Sequence, residues 1–189
     1  MSTFVLLTIT GLGLGAMYFL IASGLSLIYG LMGVLNFAHG ALVTVGLYAA
    51  WWFGDTVGGS VGVRLLAGAA FGVLAGAALA ALIELTLIRP LYRRPVEQVL
   101  VTVGLALALG ALVQGIFGQD VKPFPVPGWM IDTTTVLGAA IPNDRFVVIA
   151  VAVLVLVGLT AFLRYTRFGL VIRAGVENRA MVSALGIDV

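Results

Sequence analysis

The chain has 189 residues, of which 61% are hydrophobic and 10% charged, with a mean hydropathy of +1.17 and a formal net charge of +2. A soluble domain carries about 25% charged residues, so too little polar surface exists here to face water, and the chain reads as an integral membrane protein. With no cysteine and one histidine, disulfides, thiolate catalysis and a self-sufficient zinc or haem site are excluded. No basic run with interleaved aromatics points to nucleic acid, and no metal or cofactor is expected.

Met1 to Gly54 contains no Asp, Glu, Lys or Arg. Crossing a hydrocarbon core of about 30 Å takes roughly 20 helical residues, so this run is too long for one span and right for two. The N-terminus lacks a basic n-region, so the first apolar segment is expected to persist as a span over about 3–29. The second segment covers about 36–54 and spans only if it begins at Asn36 or before; beginning at Gly40 it would be too short and a half-helix, and either way the backbone must break between the two. Gly30, Gly33 and Gly40 mark that place and bracket Asn36 and His39, the strongly polar side chains nearby. A helix broken at membrane depth is how transporters build binding sites.

A third span covers about 65–88. Gly68, Gly72 and Gly76 recur in it at a spacing of four, giving one small-residue packing face. Glu84 continues that stripe, and snorkelling toward the basic loop Arg89–Glu97 is its expected role. The fourth span covers about 98–119. Asp120 to Arg145 follows as the longest polar connection, a poor helix because of Pro123, Pro125, Pro127 and Pro142, with Trp129 at an interfacial position. The fifth span, about 146–163, is rich in valine, but an apolar run of that length bounded by charge fits a membrane helix.

From Arg164 the chain is amphipathic and basic. Placing the Arg89–Arg94 loop and the 164–189 tail on one side gives that side Arg89, Arg93, Arg94, Arg164, Arg167, Arg173 and Arg179, against Arg64, Lys122 and Arg145 on the other. Seven against three puts the first group in the cytoplasm. The expected fold is therefore an all-α polytopic transmembrane bundle of about five spans, one permease-like domain over 1–189. Its N-terminus lies outside, its C-terminus inside, and its broken or re-entrant segment near 30–40.

Two groups of residues invite function. Asn36 and His39, three apart, share a face if they lie on one helix. With Tyr29, Gly33 and Gly40 they form a candidate substrate pathway. In it, Asn36 caps a helix whose free N–H groups suit a carboxylate, while neighbouring Leu, Val and Phe suit an apolar side chain. The plainer reading makes Asn36 a cap and His39 a bond to another helix. Gly24-Leu-Ser26-Leu with His39 is only a weak echo of an intramembrane serine protease. In the tail, Asn178 reads as an N-cap, Arg179–Leu185 as a two-turn helix and Gly186 as its terminator. Ala180, Met181, Ala184 and Leu185 form an apolar face, while Glu177 and Arg179 stay polar. Such a helix either lies in the lipid interface or docks into a soluble partner.

Gly24-Leu-Ser-Leu-Ile-Tyr-Gly-Leu-Met-Gly-Val-Leu-Asn-Phe-Ala-His-Gly40 closely resembles the signature of LivH-type permeases, membrane subunits of ATP-binding-cassette importers for branched-chain amino acids. The tail from Arg164 to Ile187 resembles the same family's cytoplasmic loop, where a coupling helix contacts the ATPase. The resemblance covers the whole chain. It implies a transport subunit, not an enzyme, driven by separate cytoplasmic ATP-binding subunits. A second homologous permease and an extracytoplasmic solute-binding protein would accompany it, in a bacterial-type inner membrane with lipid around its spans. It also implies that Arg173, Glu177 and residues 178–186 serve ATPase coupling. Family members continue past the point where this sequence stops, so a truncated or split permease is expected. The alternative is a self-contained channel or secondary carrier for small neutral solutes, including a urea- or amide-specific relative.

Overall fold

The computed structural model describes residues 2–33, 35–124 and 126–177. It is an all-α polytopic bundle in which, among the described residues, four helices are long and apolar enough to cross a membrane. The elements divide into two compact units, residues 1–33 with 132–189, and residues 34–131.

In the first unit α1 (Ser2–Met32) and α6 (Asn143–Tyr165) run parallel, since Gly13 lies against Arg145 near one end and Ser26 and Gly30 share a groove with Leu163 near the other. At 1.5 Å per residue α1 is about 46 Å long, more than a bilayer core requires. A β-hairpin, β1 (Thr133–Val136) and β2 (Ala139–Pro142), packs on α1 through its second strand, where Ala139 and Ile141 are buried. Its antiparallel register pairs Thr133 with Pro142 and Val136 with Ala139. The two-residue turn has positive φ at both Leu137 and Gly138. That geometry matches the twist of paired strands and normally selects Asn, Asp or Gly. Part of the long polar connection therefore forms this hairpin; the single turn α5 (Gly128–Ile131), which carries Trp129, precedes it in sequence and belongs to the second unit. A short amphipathic helix, α7 (Arg167–Glu177), follows α6.

In the second unit α2 (His39–Thr56) and α3 (Val61–Ile83) form an antiparallel pair whose backbones touch. A Cβ on Gly72 would stand 2.6 Å from both the Ala50 Cβ and the Gly46 carbonyl oxygen, and one on Gly68 would meet the Ala50 carbonyl oxygen at 2.6 Å. Gly46, Ala50 and Gly54 repeat every four residues along α2, as Gly68, Gly72 and Gly76 do along α3. Two smooth stripes thus meet, and dispersion between closely approaching backbones replaces the hydrophobic drive that lipid cannot supply. Gly76 lies at the looser end, 3.7 Å from the Gly46 Cα by the same measure. At the other end Arg64 closes the pair, donating from Nε to the Gly54 carbonyl (2.8 Å) and from a terminal nitrogen to Asp55 (2.9 Å).

The α4 helix (Pro95–Phe117) joins through Phe117, whose ring meets Tyr48 and Trp51 of α2. The segment after α4 then folds back. Trp51 donates to the Pro123 carbonyl, Lys122 lies over the Trp51 ring, and the tip of Phe124 fills the notch left by Gly54 and Gly68.

The long helices α3, α4 and α6 begin at Val61, Pro95 and Asn143, before the uncharged runs they contain. Arg64, Asp144, Arg145 and Arg164 fall inside helices because the hydrogen-bond ladder does not stop where charge begins. The α2 helix differs from the expectation. It begins at His39, not Asn36, so its 18 residues cover about 27 Å. With His39, Asp55 and several polar aromatics it falls outside the four helices apolar enough to span. The third helix does not stop as an α-helix at all. Residues Glu84–Ile88 form a π turn and Arg89–Leu91 a 3₁₀ turn, and Ile83 and Ile88 are both buried. Glu84 accepts a hydrogen bond from the hydroxyl of Tyr92, a residue of the basic loop.

Substituting Gly72 by Leu should destabilise the α2–α3 pair by about 1–3 kcal/mol, the usual scale of overpacking, since backbone stands in the way. Gly110 has open space over its Cα, so G110A should be neutral or stabilising by up to about 1 kcal/mol. Thermal unfolding of the two variants in detergent checks the contrast.

Candidate functional site

The break between α1 and α2 is built from local hydrogen bonds. Gly33 has φ of 64° and its N–H donates to the Tyr29 carbonyl at 2.8 Å. This is a left-handed helix terminus, which glycine adopts without the penalty a Cβ brings. Tyr29 itself sits in the last turns of α1 with its side chain exposed.

On the other side of the break Asn36 is only 6% exposed. Its Oδ1 accepts the Ala38 N–H at 3.0 Å, and its carbonyl accepts the His39 N–H at 3.2 Å. The expectation that Asn36 directly caps the helix is thus corrected. Ala38 precedes α2 without any side-chain bond, and Asn36 closes an Asx turn one step earlier. The α-helix starts at His39, after Asn36, so Asn36 and His39 do not share a helical face. His39 is the half-buried first residue of α2, and Gly40 follows it with nothing over its Cα within 4 Å. Tyr29 and Gly33 belong to the first unit, and Asn36, His39 and Gly40 to the second.

The α6–α7 corner is the second candidate region. Thr166 leaves the helix with extended geometry, its hydroxyl donates to the Phe162 carbonyl, and the same oxygen accepts the Gly169 N–H at 2.9 Å. Thr166 is thereby the N-cap of α7. Gly169 allows the turn to close. A Cβ there would stand 2.4 Å from the Phe162 carbonyl oxygen and 2.5 Å from that of Leu163. Arg173 is exposed on α7, and Glu177 is its last residue. Asn178, Arg179, Ala180, Met181, Ala184, Leu185 and Gly186 lie outside the described residues.

Sequence reasoning missed three features. Gln98 and Thr102, four apart on α4 and therefore on one face, are buried, and the Gln98 amide nitrogen has no hydrogen-bond partner. An isolated polar pair in an apolar span was the signal for them. Ser26 and Gly30, also four apart, line a groove of about 200 Å³ with Leu27, Leu163, Ile172, Arg173 and Val176. Thr166 followed three residues later by Gly169 marked the corner.

A family model described as "Branched-chain amino acid transport system / permease component" matches residues 7–189. The chain is similar to the high-affinity branched-chain amino acid transport system permease protein BraD of Pseudomonas aeruginosa, at 30% identity over 95% of this chain and 61% of the relative. It is also similar to the corresponding LivH of Escherichia coli K12, at 31% identity over 94% of this chain and 60% of the relative. A probable branched-chain amino acid transport permease protein LivH of Methanocaldococcus jannaschii is 30% identical over 90% of this chain and 54% of its own length. The chain thus spans about three-fifths of the length of the first two. No solved structure matches it.

The corner geometry gives a direct test. G169A should detach the start of α7 from the end of α6, because the atoms in its way are backbone and cannot rotate aside. T166V removes the cap and should cost about 1 kcal/mol. Limited proteolysis after Arg167 should speed up strongly in the first variant and modestly in the second.

Proposed function

Because the chain belongs to the family of branched-chain amino acid transport system permease components, we propose that it is the membrane subunit of an ATP-binding-cassette importer. It would move branched-chain or related amino acids into the cytoplasm across a bacterial-type inner membrane. The reading is carried by one observation, the family match over residues 7–189 on a chain whose described residues include four membrane-length apolar helices. In this reading the chain binds no nucleotide. Separate cytoplasmic ATP-binding subunits drive it, a second permease completes the pathway, and an extracytoplasmic binding protein delivers the solute. The N-terminus faces outward, and the arginine-rich loop and tail face the cytoplasm.

The break between α1 and α2 is the proposed pathway. Tyr29, Gly33, Asn36, His39 and Gly40 lie where the chain leaves one helix and enters the next, and irregular backbone at membrane depth is tolerated where it lines a cavity. Asn36 holds the entry to α2 with its own side chain, so the start of α2 can present free N–H groups to a carboxylate. On the cytoplasmic side, ATP-driven closure of the ATPase pair displaces the segment from Asn178 to Gly186. The α7 helix, with Arg173 and Glu177, transmits that motion as a rigid body through the Thr166–Gly169 corner.

Pull-down of the chain from its native membrane in mild detergent, with mass-spectrometric identification of what accompanies it, tests the assignment. An ATP-binding subunit and a second permease are the expected companions. Purification of the chain alone, together with solute movement in liposomes, would replace the importer with a self-contained channel or carrier. Within the importer, N36L should cut leucine uptake by roughly tenfold, the scale of one lost buried hydrogen bond, while assembly persists. Equal loss of assembly would leave Asn36 a purely structural role in its Asx turn. Changing both Ala180 and Ala184 to Arg should uncouple ATP hydrolysis from uptake; normal coupling in that double variant would remove the docking role of the tail.

A further inference from the structure

The groove on the first unit has a composition unlike a solute pathway. Its walls are Leu27, Leu163, Ile172 and Val176, opened by the small residues Ser26 and Gly30, and among the described residues that line it the charged one is Arg173. It lies where α6, an apolar spanning helix, ends at Tyr165 and the amphipathic α7 begins at Arg167, so it sits where hydrocarbon gives way to headgroups. The amphipathic character of α7 fits that boundary, with Phe168 (75% exposed), Leu170 and Val176 uncovered beside Arg167 and Arg173.

We propose that this groove binds an anionic phospholipid of the surrounding leaflet, one acyl chain lying against Leu27, Leu163 and Val176 and the phosphate paired with Arg173. Both halves of the ligand are represented. The apolar walls take hydrocarbon, and a guanidinium offers a planar, two-pronged donor to phosphate. Arg164 and Arg167, at the same corner, add positive potential that favours an acidic headgroup over a zwitterionic one. The lipid would brace α7 against α1 and α6, holding at a fixed height the helix to which the proposed function gives a coupling role. That last consequence rests on the importer reading, whereas the binding itself does not.

Native mass spectrometry of the full chain in mild detergent, titrated with phosphatidylglycerol or phosphatidylcholine, tests the site without reference to transport. Phosphatidylglycerol should bind more tightly, and R173Q should weaken it by about fivefold, the usual contribution of one basic side chain near a membrane surface. R94Q, which removes an arginine of the other unit paired with Glu97, should have little effect. Gly30→Leu fills the groove and should weaken both lipids. Equal affinity for the two lipids, equal effects of R173Q and R94Q, or unchanged binding in the Gly30→Leu chain would each overturn the proposal. Since Arg173 is exposed, R173Q keeps the test decisive even where the filled groove fails to assemble. The chain has no cysteine, so Ser26→Cys paired with Ala184→Cys asks whether the chain's own end occupies the groove instead. Efficient disulfide formation between them would also overturn the lipid assignment.

Discussion

In a bilayer core no water exists to take up an unpaired N–H or C=O, and every departure from helix must be closed by the chain itself. The corners of this protein close their backbone groups locally. At the end of α1 the Gly33 N–H returns to the Tyr29 carbonyl; before α2 the Asn36 side chain takes the Ala38 N–H; at the α6–α7 corner the Thr166 hydroxyl takes that of Gly169. Each device uses a residue whose chemistry allows it: a glycine that tolerates positive φ, an asparagine that forms an Asx turn, a threonine that caps. The breaks are therefore localised, and the helices on either side keep their full ladders.

Lipid also removes the usual reason for helices to associate. The α2–α3 pair is held by shape, two stripes of small residues bringing backbones into contact, and by the Arg64 bonds to Gly54 and Asp55 at its outer end. Aromatic side chains then fill what the glycines leave open. Phe71 stacks on Phe53 at a centroid distance of 4.4 Å, and Phe124 enters the Gly54–Gly68 notch. Many other large apolar side chains remain exposed, as expected where the solvent is hydrocarbon.

Much of this was legible in the residues. Apolar runs of about 20 bounded by charge located the spans, and glycines around two isolated polar residues located the break. The Gly68–Gly76 stripe announced a packing face, although its partner stripe on α2 went unread because Trp51, Trp52 and Tyr48 dominate that segment. The hairpin was hidden because Leu137 stands where the turn normally places Asn or Gly. The start of α2 was misplaced because Asn36 closes its own Asx turn two residues before the position that precedes the helix, Ala38. Gln98 and Thr102 were passed over because each alone looks like the polar end of a span; only burial of both gives the pair its meaning.

The wide turn at Glu84–Ile88 carries one more consequence. A π turn closes its hydrogen bonds five residues back, so it accommodates one residue more than the α-helix around it. Ile83 and Ile88, five apart, are both buried, a spacing that an unbroken α-helix would offset by about 100° from a four-residue repeat. Everything beyond, including Arg89, Arg93 and Arg94, is phased by that extra residue. In the history of such a helix a single inserted or deleted codon at this place would change which way the basic loop points while leaving the membrane-embedded stripe untouched.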